Sequence, residues 1–241
     1  MYKRQAIGET LVTHPNVAGI SFTGSTDIGT NLYTKGATAL KKIQCEMGGK
    51  NAVIVLADAD MDNVLDGIVQ AAFGSTGQRC TATSRVIVEE EIYESFMEGL
   101  VSRTSKLSIG DGINPGTDVG PAASESQFHK IVEYIELGVT EGATLVFGGK
   151  HLTKEQLSEG YYVEPTIFSD VDPSMRIAQE EIFGPVLTVF KATSLDEAIK
   201  IANNVKFGLS SSIYCKDLNN AFRYIDQVEA GMVHVLSLIH I

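Results

Sequence analysis

Two residues of this chain have the side chains that covalent catalysis needs, and both lie in glycine-containing segments. Cys80 sits in Gly77–Thr81, which reads Gly-Gln-Arg-Cys-Thr, and Glu46 begins Glu46–Lys50, which reads Glu-Met-Gly-Gly-Lys. A thiolate can form a thioester, and a carboxylate can act as a general base. The glycines let main-chain N–H groups approach a reacting carbonyl. The pair therefore predicts covalent chemistry through a thioester.

Each of these residues also has an ordinary structural interpretation. A lone cysteine is most often a small buried apolar residue, and most glutamates are solvated surface charges. The neighbours of Cys80, namely Gln78, Arg79 and Thr81, are polar, which argues against a core position. We therefore expect an exposed turn at which Arg79 and main-chain amides favour the thiolate form of Cys80.

Two further segments have patterns suited to binding a nucleotide. Thr23–Thr26 reads Thr-Gly-Ser-Thr and lies between a predicted strand and a predicted helix, where N–H groups and the helix dipole can hold a pyrophosphate. Glu180–Val186 places two carboxylates, Phe183 and a Gly-Pro turn before a strand. A carboxylate there could hold a ribose diol, and Phe183 could back a flat ring. The alternatives are a plain helix cap and a core position for Phe183.

The composition excludes several classes of partner. The 241 residues include 19 Lys and Arg against 30 Asp and Glu, a net charge of −11, which disfavours nucleic acid or an anionic membrane as a partner. No apolar run is long enough for a membrane helix, and no secretory signal opens the chain. Three widely spaced cysteines indicate free thiols and the cytoplasm. The scattered histidines form no metal-ligand pattern.

The hydrophobic pattern alternates between strands and helices along the chain. Ala52–Leu56 is an uninterrupted apolar run, typical of a parallel strand covered on both faces. Asp60 precedes an apolar stripe at helical spacing and is a predicted N-cap. Other strands are predicted at 17–22, 85–89, 144–147, 163–168, 186–190, 212–215 and 232–235, with helices ending near 38 and at about 92–101, 128–135, 195–203 and 218–228. This order predicts an α/β fold with a mainly parallel sheet.

The two ends of the chain have an unusual property. Met1–Gln5 and Leu236–Ile241 can be translated back into DNA stretches that are reverse complements of each other and that resemble a transposon-end adapter. We therefore expect residues 6–235 to be the protein's own. The two ends are then translated adapter and do not contribute to the fold. Different codons at either end of the gene would refute this.

Four segments together resemble the NAD(P)-dependent aldehyde dehydrogenase superfamily. They are Phe22–Thr26, Glu46–Lys50, Gly77–Cys80 and Glu181–Pro185, and they occur in the order and approximate spacing of that family. The resemblance runs from about residue 6 to residue 235. Within the family, Gln78–Arg85 is most similar to the 2,5-dioxovalerate (α-ketoglutaric semialdehyde) dehydrogenases.

The resemblance implies a role for each matching residue. Cys80 would attack the aldehyde carbon, with its own N–H helping to hold the oxyanion, and Glu46 would activate the water that hydrolyses the thioester. Relatives that transfer the acyl group to coenzyme A commonly lack this glutamate, so hydrolysis is favoured. The other implied contacts are with NAD or NADP: Gly24 and Ser25 at the pyrophosphate, Ile28 near the adenine, Met47 and Gly48 along the nicotinamide, and Glu181, Phe183, Gln127 and Lys130 at or near its ribose.

Members of the family are longer than this chain. The resemblance implies that residues 6–48 are the C-terminal part of a cofactor-binding domain and that residues 49–235 form the α/β catalytic domain. It also implies that an oxyanion-hole asparagine and the adenine-ribose contacts lie elsewhere, so we expect this polypeptide alone to bind cofactor poorly and to turn over little aldehyde. The longer protein of which this chain would be a part is expected to be a homo-oligomer, a dimer or a tetramer. The particular aldehyde, and NAD against NADP, stay open.

Two other functions remain compatible with the residues. Cys80 and Glu46 could serve a cysteine-dependent esterase or hydrolase that uses no redox cofactor. The chain could also be a non-catalytic relative that keeps only the fold. Retention of both Cys80 and Glu46 weighs against the second of these.

Overall fold

The computed structural model describes residues 3–153 and 155–236. The chain divides into two compact units, which meet along the sequence between Gly48 and Gly49. Of the two end segments attributed to adapter DNA, residues 1–2 and 237–241 lie outside the described residues, and the attribution stays a prediction. The assignment of residues 6–48 and 49–235 to a cofactor-binding remnant and a catalytic domain also stays a prediction.

The first unit contains a parallel β-α-β arrangement. Helix α1 spans Lys3–Thr13, strand β1 Gly19–Thr23, helix α2 Thr26–Thr38 and strand β2 Lys42–Glu46. The two strands are paired in parallel over their whole length. Two glycines of α2 let this helix lie close to the strand after it, because a Cβ at Gly36 would come within 2.5 Å of Ile43 and one at Gly29 within 2.4 Å of Met47.

The second unit is built on a seven-stranded sheet in the order β5-β6-β7-β4-β3-β8-β9. Its strands are β3 Asn51–Val55, β4 Thr83–Glu89, β5 Thr144–Phe147, β6 Thr166–Ser169, β7 Val186–Ala192, β8 Ser210–Tyr214 and β9 Met232–Val235. All neighbouring pairs are parallel except β5 with β6. The predicted α/β fold with a mainly parallel sheet is confirmed.

Helices cover both faces of this sheet. They are α3 Met61–Phe73, α4 Tyr93–Thr104, α5 Glu125–Glu141, α6 Arg176–Gln179, α7 Leu195–Asn203 and α8 Leu218–Gln227. Strand β3 is fully buried and alternates between two cores. Ala52 and Ile54 face the core that includes α5, α7 and α8, whereas Val53 and Val55 face α3 and α4. An apolar run without polar breaks is therefore what the centre of this sheet requires.

Local signals in the sequence explain where several helices begin. The carboxylate of Asp60 accepts a hydrogen bond from the Asn63 N–H, which confirms the predicted N-cap of α3. Ser124 and Ser194 cap α5 and α7 in the same way. Such caps satisfy one of the unpaired N–H groups of a first turn and stabilise a helix by about 1 kcal/mol each.

Four elements differ from the prediction, among them the short helix α6, which was not predicted. The strand expected at 163–168 begins only at Thr166, because Pro165 has no N–H to donate to a ladder, and Val163 forms an isolated bridge with His151. Helix α1 was not predicted, since its sequence has no apolar stripe. Strand β2 was not predicted either, and its residues alternate between exposed and half-buried positions.

Candidate active site

The candidate site of the second unit lies at the amino ends of three adjacent strands. Gly49 and Lys50 lead into β3, Cys80–Ala82 into β4 and Glu181–Pro185 into β7. Because β7, β4 and β3 are neighbours in the sheet and run in parallel, these three loops lie side by side. Between them is a cleft of about 290 Å³, open mouth included, whose walls include Gly49, Gly77, Glu181 and Phe183.

The segment that leads to Cys80 has an unusual backbone. Ser75, Thr76 and Gly77 have φ values of 53°, 60° and 64°, three consecutive residues in the left-handed region. This conformation is uncommon for residues other than glycine and is an outlier for a β-branched threonine. The turn is held from outside, because the Thr76 hydroxyl donates to the Gly120 carbonyl at 3.1 Å. Strain of this kind is found most often at functional sites.

The side chain of Gln78 fixes the next part of the same loop. Its amide nitrogen donates to the Pro121 carbonyl at 3.3 Å, and its amide oxygen accepts from the Ala123 N–H at 2.8 Å. Cys80 itself is exposed. The alternative of a buried core cysteine is therefore wrong, and the thiol stands on a loop that is fixed on its N-terminal side.

Arg79 makes hydrogen bonds that the sequence did not predict. Its guanidinium donates to the carbonyls of Gln70 and Ala71, at 3.4 and 3.3 Å, in the last turn of α3. A cation at a helix C-terminus satisfies unpaired carbonyls and complements the helix dipole. Arg79 thus connects the Cys80 loop to α3, and its effect on the Cys80 thiolate stays a prediction.

Glu181 stands opposite Gly49. Its carboxylate accepts a hydrogen bond from the Gly49 N–H at 3.2 Å. Burial raises the pKa of Glu181 above its ordinary value, and this effect is opposed by the Gly49 N–H and by the charges of Lys130 and Lys50. A carboxylate that is partly desolvated and in a cleft is a candidate for ligand binding.

Gln127 and Lys130, on helix α5, both bond to the backbone of the Glu181 loop. The Lys130 ammonium donates to the Glu181 carbonyl at 2.7 Å, and the Gln127 amide donates to the carbonyls of Ile182 and Phe183, each at 2.9 Å. Phe183 has a φ of 60°, so these bonds hold a strained residue. The predicted ribose contacts of Gln127 and Lys130 stay a prediction, since both side chains here bind main chain.

Two glycines allow the three loops to approach one another. Gly77 lies against the next loop so closely that a Cβ would be 2.2 Å from the Gly184 carbonyl oxygen. A Cβ at Gly49 would lie 3.0 Å from the Cys80 carbonyl oxygen and 2.6 Å from the side-chain oxygen of Asn51. Only glycine fits at either position without displacing backbone or a buried polar group.

Two buried cations behind these loops were not singled out from the sequence as site residues. Lys50 is 2% exposed, and its ammonium has no hydrogen-bond partner within the described residues. Burial, reinforced by the charge of Arg85, lowers the pKa of Lys50 to about 7. Arg85 is 3% exposed and donates to the carbonyls of Lys50, Ile201 and Ala202 at 2.8–2.9 Å, and burial lowers its pKa to about 10. For Arg85, the sequence did contain a signal, namely a charged residue inside a strand that is otherwise mostly apolar.

The other predicted site residues lie in the first unit. Gly24 and Ser25 connect β1 to α2, and Ser25 is the N-cap residue, in an extended conformation and with no capping bond from its hydroxyl. Ile28 is exposed on the first turn of α2. Glu46 is the exposed last residue of β2, and its carbonyl accepts from the Gly24 N–H at 3.0 Å. Met47 and Gly48 follow it directly.

The described residues contain neither a cluster of metal ligands nor a membrane-spanning helix. Across residues 3–153 and 155–236, no three His, Cys, Asp or Glu side chains are grouped so that they could hold a metal ion. Within the same ranges, no helix has both the length and the apolar character needed to cross a bilayer.

The fold and this site define a class of α/β protein in which an exposed thiol stands on a fixed loop at the amino end of a parallel strand. The chain belongs to the aldehyde dehydrogenase family, because the sequence profile of that family matches residues 2–238. The family predicted from the four sequence segments is therefore confirmed.

Individual relatives agree with this assignment. The chain is 45% identical to the alpha-ketoglutaric semialdehyde dehydrogenase of Bacillus subtilis over 229 residues, which are 95% of this chain and 47% of that protein. It is 41% identical to the 2,5-dioxopentanoate dehydrogenase of Saccharolobus solfataricus, over 97% of this chain and 48% of that protein. The chain thus spans about half the length of the curated relatives that it matches.

Solved structures show the same likeness in three dimensions. The crystal structure of betaine aldehyde dehydrogenase from Staphylococcus aureus in complex with NAD+ superposes with a TM-score of 0.95 at 34% identity, covering 98% of this chain and 46% of that one. An NAD-dependent aldehyde dehydrogenase from Sinorhizobium meliloti gives a TM-score of 0.94 at 38% identity, again over 98% of this chain and 46% of that one.

Proposed function

We propose that this chain is part of an NAD(P)-dependent aldehyde dehydrogenase, called the parent enzyme below, that oxidises an aldehyde to a carboxylic acid. The single observation that carries the proposal is the exposed thiol of Cys80 on a strained loop fixed by Thr76 and Gln78. A fixed, exposed nucleophile beside a cleft is what covalent catalysis on a small carbonyl compound requires.

The first half of the reaction takes place on Cys80. Its thiolate adds to the aldehyde carbon, and the carbonyl π electrons move to oxygen, giving a thiohemiacetal alkoxide. The main-chain N–H of Cys80 helps to stabilise this oxyanion. Bound NAD(P)+ supplies the acceptor for the hydride that leaves the same carbon. Loss of the hydride reforms the C=O bond and leaves an acyl group joined to Cys80 as a thioester.

The second half needs a general base, and we assign this role to Glu46. Its carboxylate takes a proton from water while the water oxygen adds to the thioester carbon, and the C–S bond then breaks to release the carboxylic acid and the Cys80 thiolate. Two features support the assignment. Glu46 is exposed at the end of β2, and among the described residues its carboxylate has no hydrogen bond or ion pair that would hold it. The second feature is Gly48, which follows Met47 and places no side chain in the way of a backbone rearrangement.

The residues of the first unit fit a dinucleotide. Ser25 leaves the first-turn N–H groups of α2 without a side-chain cap, so these groups are available to a pyrophosphate. The N–H of Gly24 is bonded to the Glu46 carbonyl, so we propose that Gly24 contributes by letting the pyrophosphate approach the backbone. We propose that Ile28 lies near the adenine, and that Met47 and Gly48 lie along the nicotinamide.

In the second unit, Glu181, supported by Gln127 and Lys130, holds the nicotinamide ribose, and Phe183 packs nearby. Residues 6–48 and 49–235 are accordingly assigned to cofactor binding and catalysis.

The relatives of the chain and its own residues support proposals for the substrate class, the cellular location and the oligomeric state of the parent enzyme. We propose an α-ketoglutaric semialdehyde type of substrate, supported by the identity to two relatives with that activity in their names. Three free cysteines support a cytoplasmic location. We also propose a homo-oligomer, either a dimer or a tetramer. Leu218 and Phe222 on α8 are 70% and 64% exposed, and a partner would cover such apolar surface.

The test is a comparison of Cys80→Ala with Glu46→Gln in the parent enzyme. Reduced nicotinamide is followed by its absorbance after aldehyde and NAD(P)+ are mixed with each variant. We expect no reduced cofactor from Cys80→Ala. Glu46→Gln should give a single burst, about one equivalent per site, and then a steady-state rate lower by about 100-fold or more, because only deacylation is blocked.

Two results would overturn the proposal. One is aldehyde oxidation by Cys80→Ala at the rate of the unchanged enzyme. The other is cleavage of a carboxylic ester with no formation of reduced cofactor from any aldehyde, which would point to a cysteine-dependent hydrolase.

A further inference from the structure

Asn51 is the first residue of β3, and both polar atoms of its side chain form hydrogen bonds inside the protein. The residue is 3% exposed. Its amide nitrogen donates to the Cys80 carbonyl at 2.7 Å and to the Ala82 carbonyl at 2.9 Å, and its amide oxygen accepts from the Ser210 N–H at 3.2 Å. One buried side chain thus connects the Cys80 loop to two strands.

The backbone explains why a side chain is needed at this place. Strands β3 and β4 pair regularly from Ala52 onward, but the register shifts between Asn51 and Ala52, whose partners are Thr83 and Arg85. Ser84 is the extra residue of this bulge. A bulge interrupts the ladder, so carbonyls just before it lose their regular partners. The Asn51 amide supplies those missing hydrogen bonds to the segment that contains Cys80.

The residue before Lys50 leaves room for this contact. A Cβ on Gly49 would overlap the Asn51 side-chain oxygen at 2.6 Å and press on the Cys80 carbonyl oxygen at 3.0 Å. The absence of a side chain at Gly49 therefore permits the contact between the Asn51 amide and the Cys80 carbonyl. Within the described residues, Asn51 is the side chain that donates to the Cys80 main chain.

We propose that Asn51 is a positioning residue for Cys80. By holding the Cys80 carbonyl, it fixes the orientation of the Cys80 backbone and with it the directions of the thiol and of the N–H that stabilises the oxyanion. This inference rests on the proposed function and adds a residue to it. A displacement of about 1 Å at a reacting group can lower a rate by about 100-fold, so a buried clamp on the nucleophile's own carbonyl acts on the chemical step.

The first measurement uses amide hydrogen exchange on the 241-residue chain and needs no turnover. Three variants are compared with the unchanged chain. Asn51→Asp keeps the size of the side chain and an acceptor for Ser210 but removes both donors, and Asn51→Ser removes most of the reach. Ser211→Ala is the matched control, because Ser211 is also buried and donates to a β3 carbonyl, that of Ala52, at 2.9 Å.

The expected result is faster exchange at residues 79–83 in both Asn51 variants, by about tenfold or more, and no change there in Ser211→Ala. Unchanged exchange at residues 79–83 in both Asn51 variants would overturn the proposal. Two different Asn51 substitutions guard against the case in which one of them does not fold.

The second measurement separates positioning from a merely structural role. In the parent enzyme, we expect Asn51→Asp and Asn51→Ser to lower the rate constant of the reduced-nicotinamide burst by about tenfold or more, with the Kd for NAD(P)+ within about twofold of the unchanged enzyme. Ser211→Ala should keep its burst rate even if its Tm falls by a similar amount. An unchanged burst in folded Asn51 variants would overturn the inference.

Failure of this inference and failure of the proposed function look different. If Cys80→Ala abolishes the burst and the Asn51 variants retain it, only the positioning role is wrong. If Cys80→Ala itself retains the burst, the proposed function is wrong, and the role of Asn51 falls with it.

Discussion

The main-chain N–H of Gly49 donates to the Glu181 carboxylate at 3.2 Å, across 132 positions of sequence. This bond joins the loop before β3 to the loop before β7 and keeps Glu181 turned into the cleft rather than to bulk water. The backbone of the Glu181 loop is held at the same time by Lys130 from helix α5. The carboxylate that we assign to the nicotinamide ribose is therefore oriented before any ligand binds, which lowers the entropic cost of binding.

The first prediction concerns Glu181→Gln. Burial raises the folded-state pKa of Glu181, so the folded state binds more protons than the unfolded state between the ordinary and the raised pKa. The free energy of unfolding therefore falls as the pH rises through that window, and the ionised carboxylate is a cost at neutral pH. We expect Glu181→Gln to have an equal or higher Tm at neutral pH, while the Kd of the parent enzyme for NAD(P)+ rises by about tenfold or more.

Glu180→Gln is the matched control for that experiment. The pKa of Glu180 is lowered, chiefly by its hydrogen bonds with Arg176 and also by Tyr134, so its ionised form stabilises the fold above the ordinary carboxyl pKa. Glu180→Gln should lower the stability slightly, by less than about 1 kcal/mol because the pair is largely exposed, and leave cofactor affinity unchanged. Equal effects of the two substitutions on cofactor affinity would contradict the role of Glu181.

The second prediction concerns the buried ammonium of Lys50. Its folded-state pKa of about 7 is below the ordinary 10.5, so the unfolded state binds more protons between these values and the free energy of unfolding rises with pH there. We expect a gain of about 3 kcal/mol between about pH 7 and about pH 9.5. Lys50→Met should remove most of this rise, as measured by urea unfolding of the second unit at both pH values.

Lys150→Met serves as the control, because Lys150 is exposed and its removal should leave the pH dependence unchanged. If Lys50→Met kept the full rise in stability with pH, the ammonium would have a partner in solution that offsets its burial.

The third prediction concerns Gly77→Ala. A methyl group there would meet the Gly184 carbonyl oxygen at 2.2 Å, and the φ of 64° disfavours any side chain. We expect a loss of about 2–4 kcal/mol in unfolding free energy and a displaced Cys80 loop. Gly112→Ala is the control, since a Cβ at Gly112 meets nothing within 4 Å, and its expected change is within about 0.5 kcal/mol. Similar stabilities of the two variants, measured by denaturant unfolding, would show that the loops separate in solution.

The fourth prediction concerns Arg85→Met. Arg85 donates to three carbonyls, two of them at the C-terminal end of helix α7. Removing it leaves buried carbonyls unpaired, and we expect a loss of about 2–4 kcal/mol in unfolding free energy, although a buried charge is removed with it. Arg223→Met breaks a solvent-exposed pair with Asp196 and should cost less than about 1 kcal/mol. Urea unfolding should show a larger loss for Arg85→Met than for Arg223→Met. An equal or smaller loss for Arg85→Met would contradict the stabilising role of its buried hydrogen bonds.

Much of the fold was predictable because periodicity reports burial. The apolar run of β3, the Asp60 cap of α3 and the stripes of α5 and α7 all depend on residues close together in sequence. Strand β2 and helix α1 were missed for the same reason. Strand β2 alternates between exposed and half-buried residues, and most residues of α1 from Ile7 to Thr13 are exposed, so neither has a pattern that stands out from its surroundings.

The chemistry of the site was predictable only in part. Cys80, Glu46 and Glu181 could be singled out because their residue types stand in glycine-containing or polar segments. The hydrogen bonds of Arg79 were not predicted, since its acceptors lie at the end of α3 and nothing local in the sequence indicates that direction. Lys50 and Arg85 were not predicted to be site residues, because only the folded protein shows that they are buried.

The amino-acid sequence by itself determined the family, the α/β alternation and the candidate nucleophile, because each of these depends on residue type and on short-range order. Tertiary structure alone decided what holds that nucleophile. Asn51 reaches the Cys80 carbonyl over 29 positions, and Gly49 reaches Glu181 over 132. Hydrogen bonds of this kind form only when parallel strands place their amino ends together, and such packing has no periodic signature in the sequence.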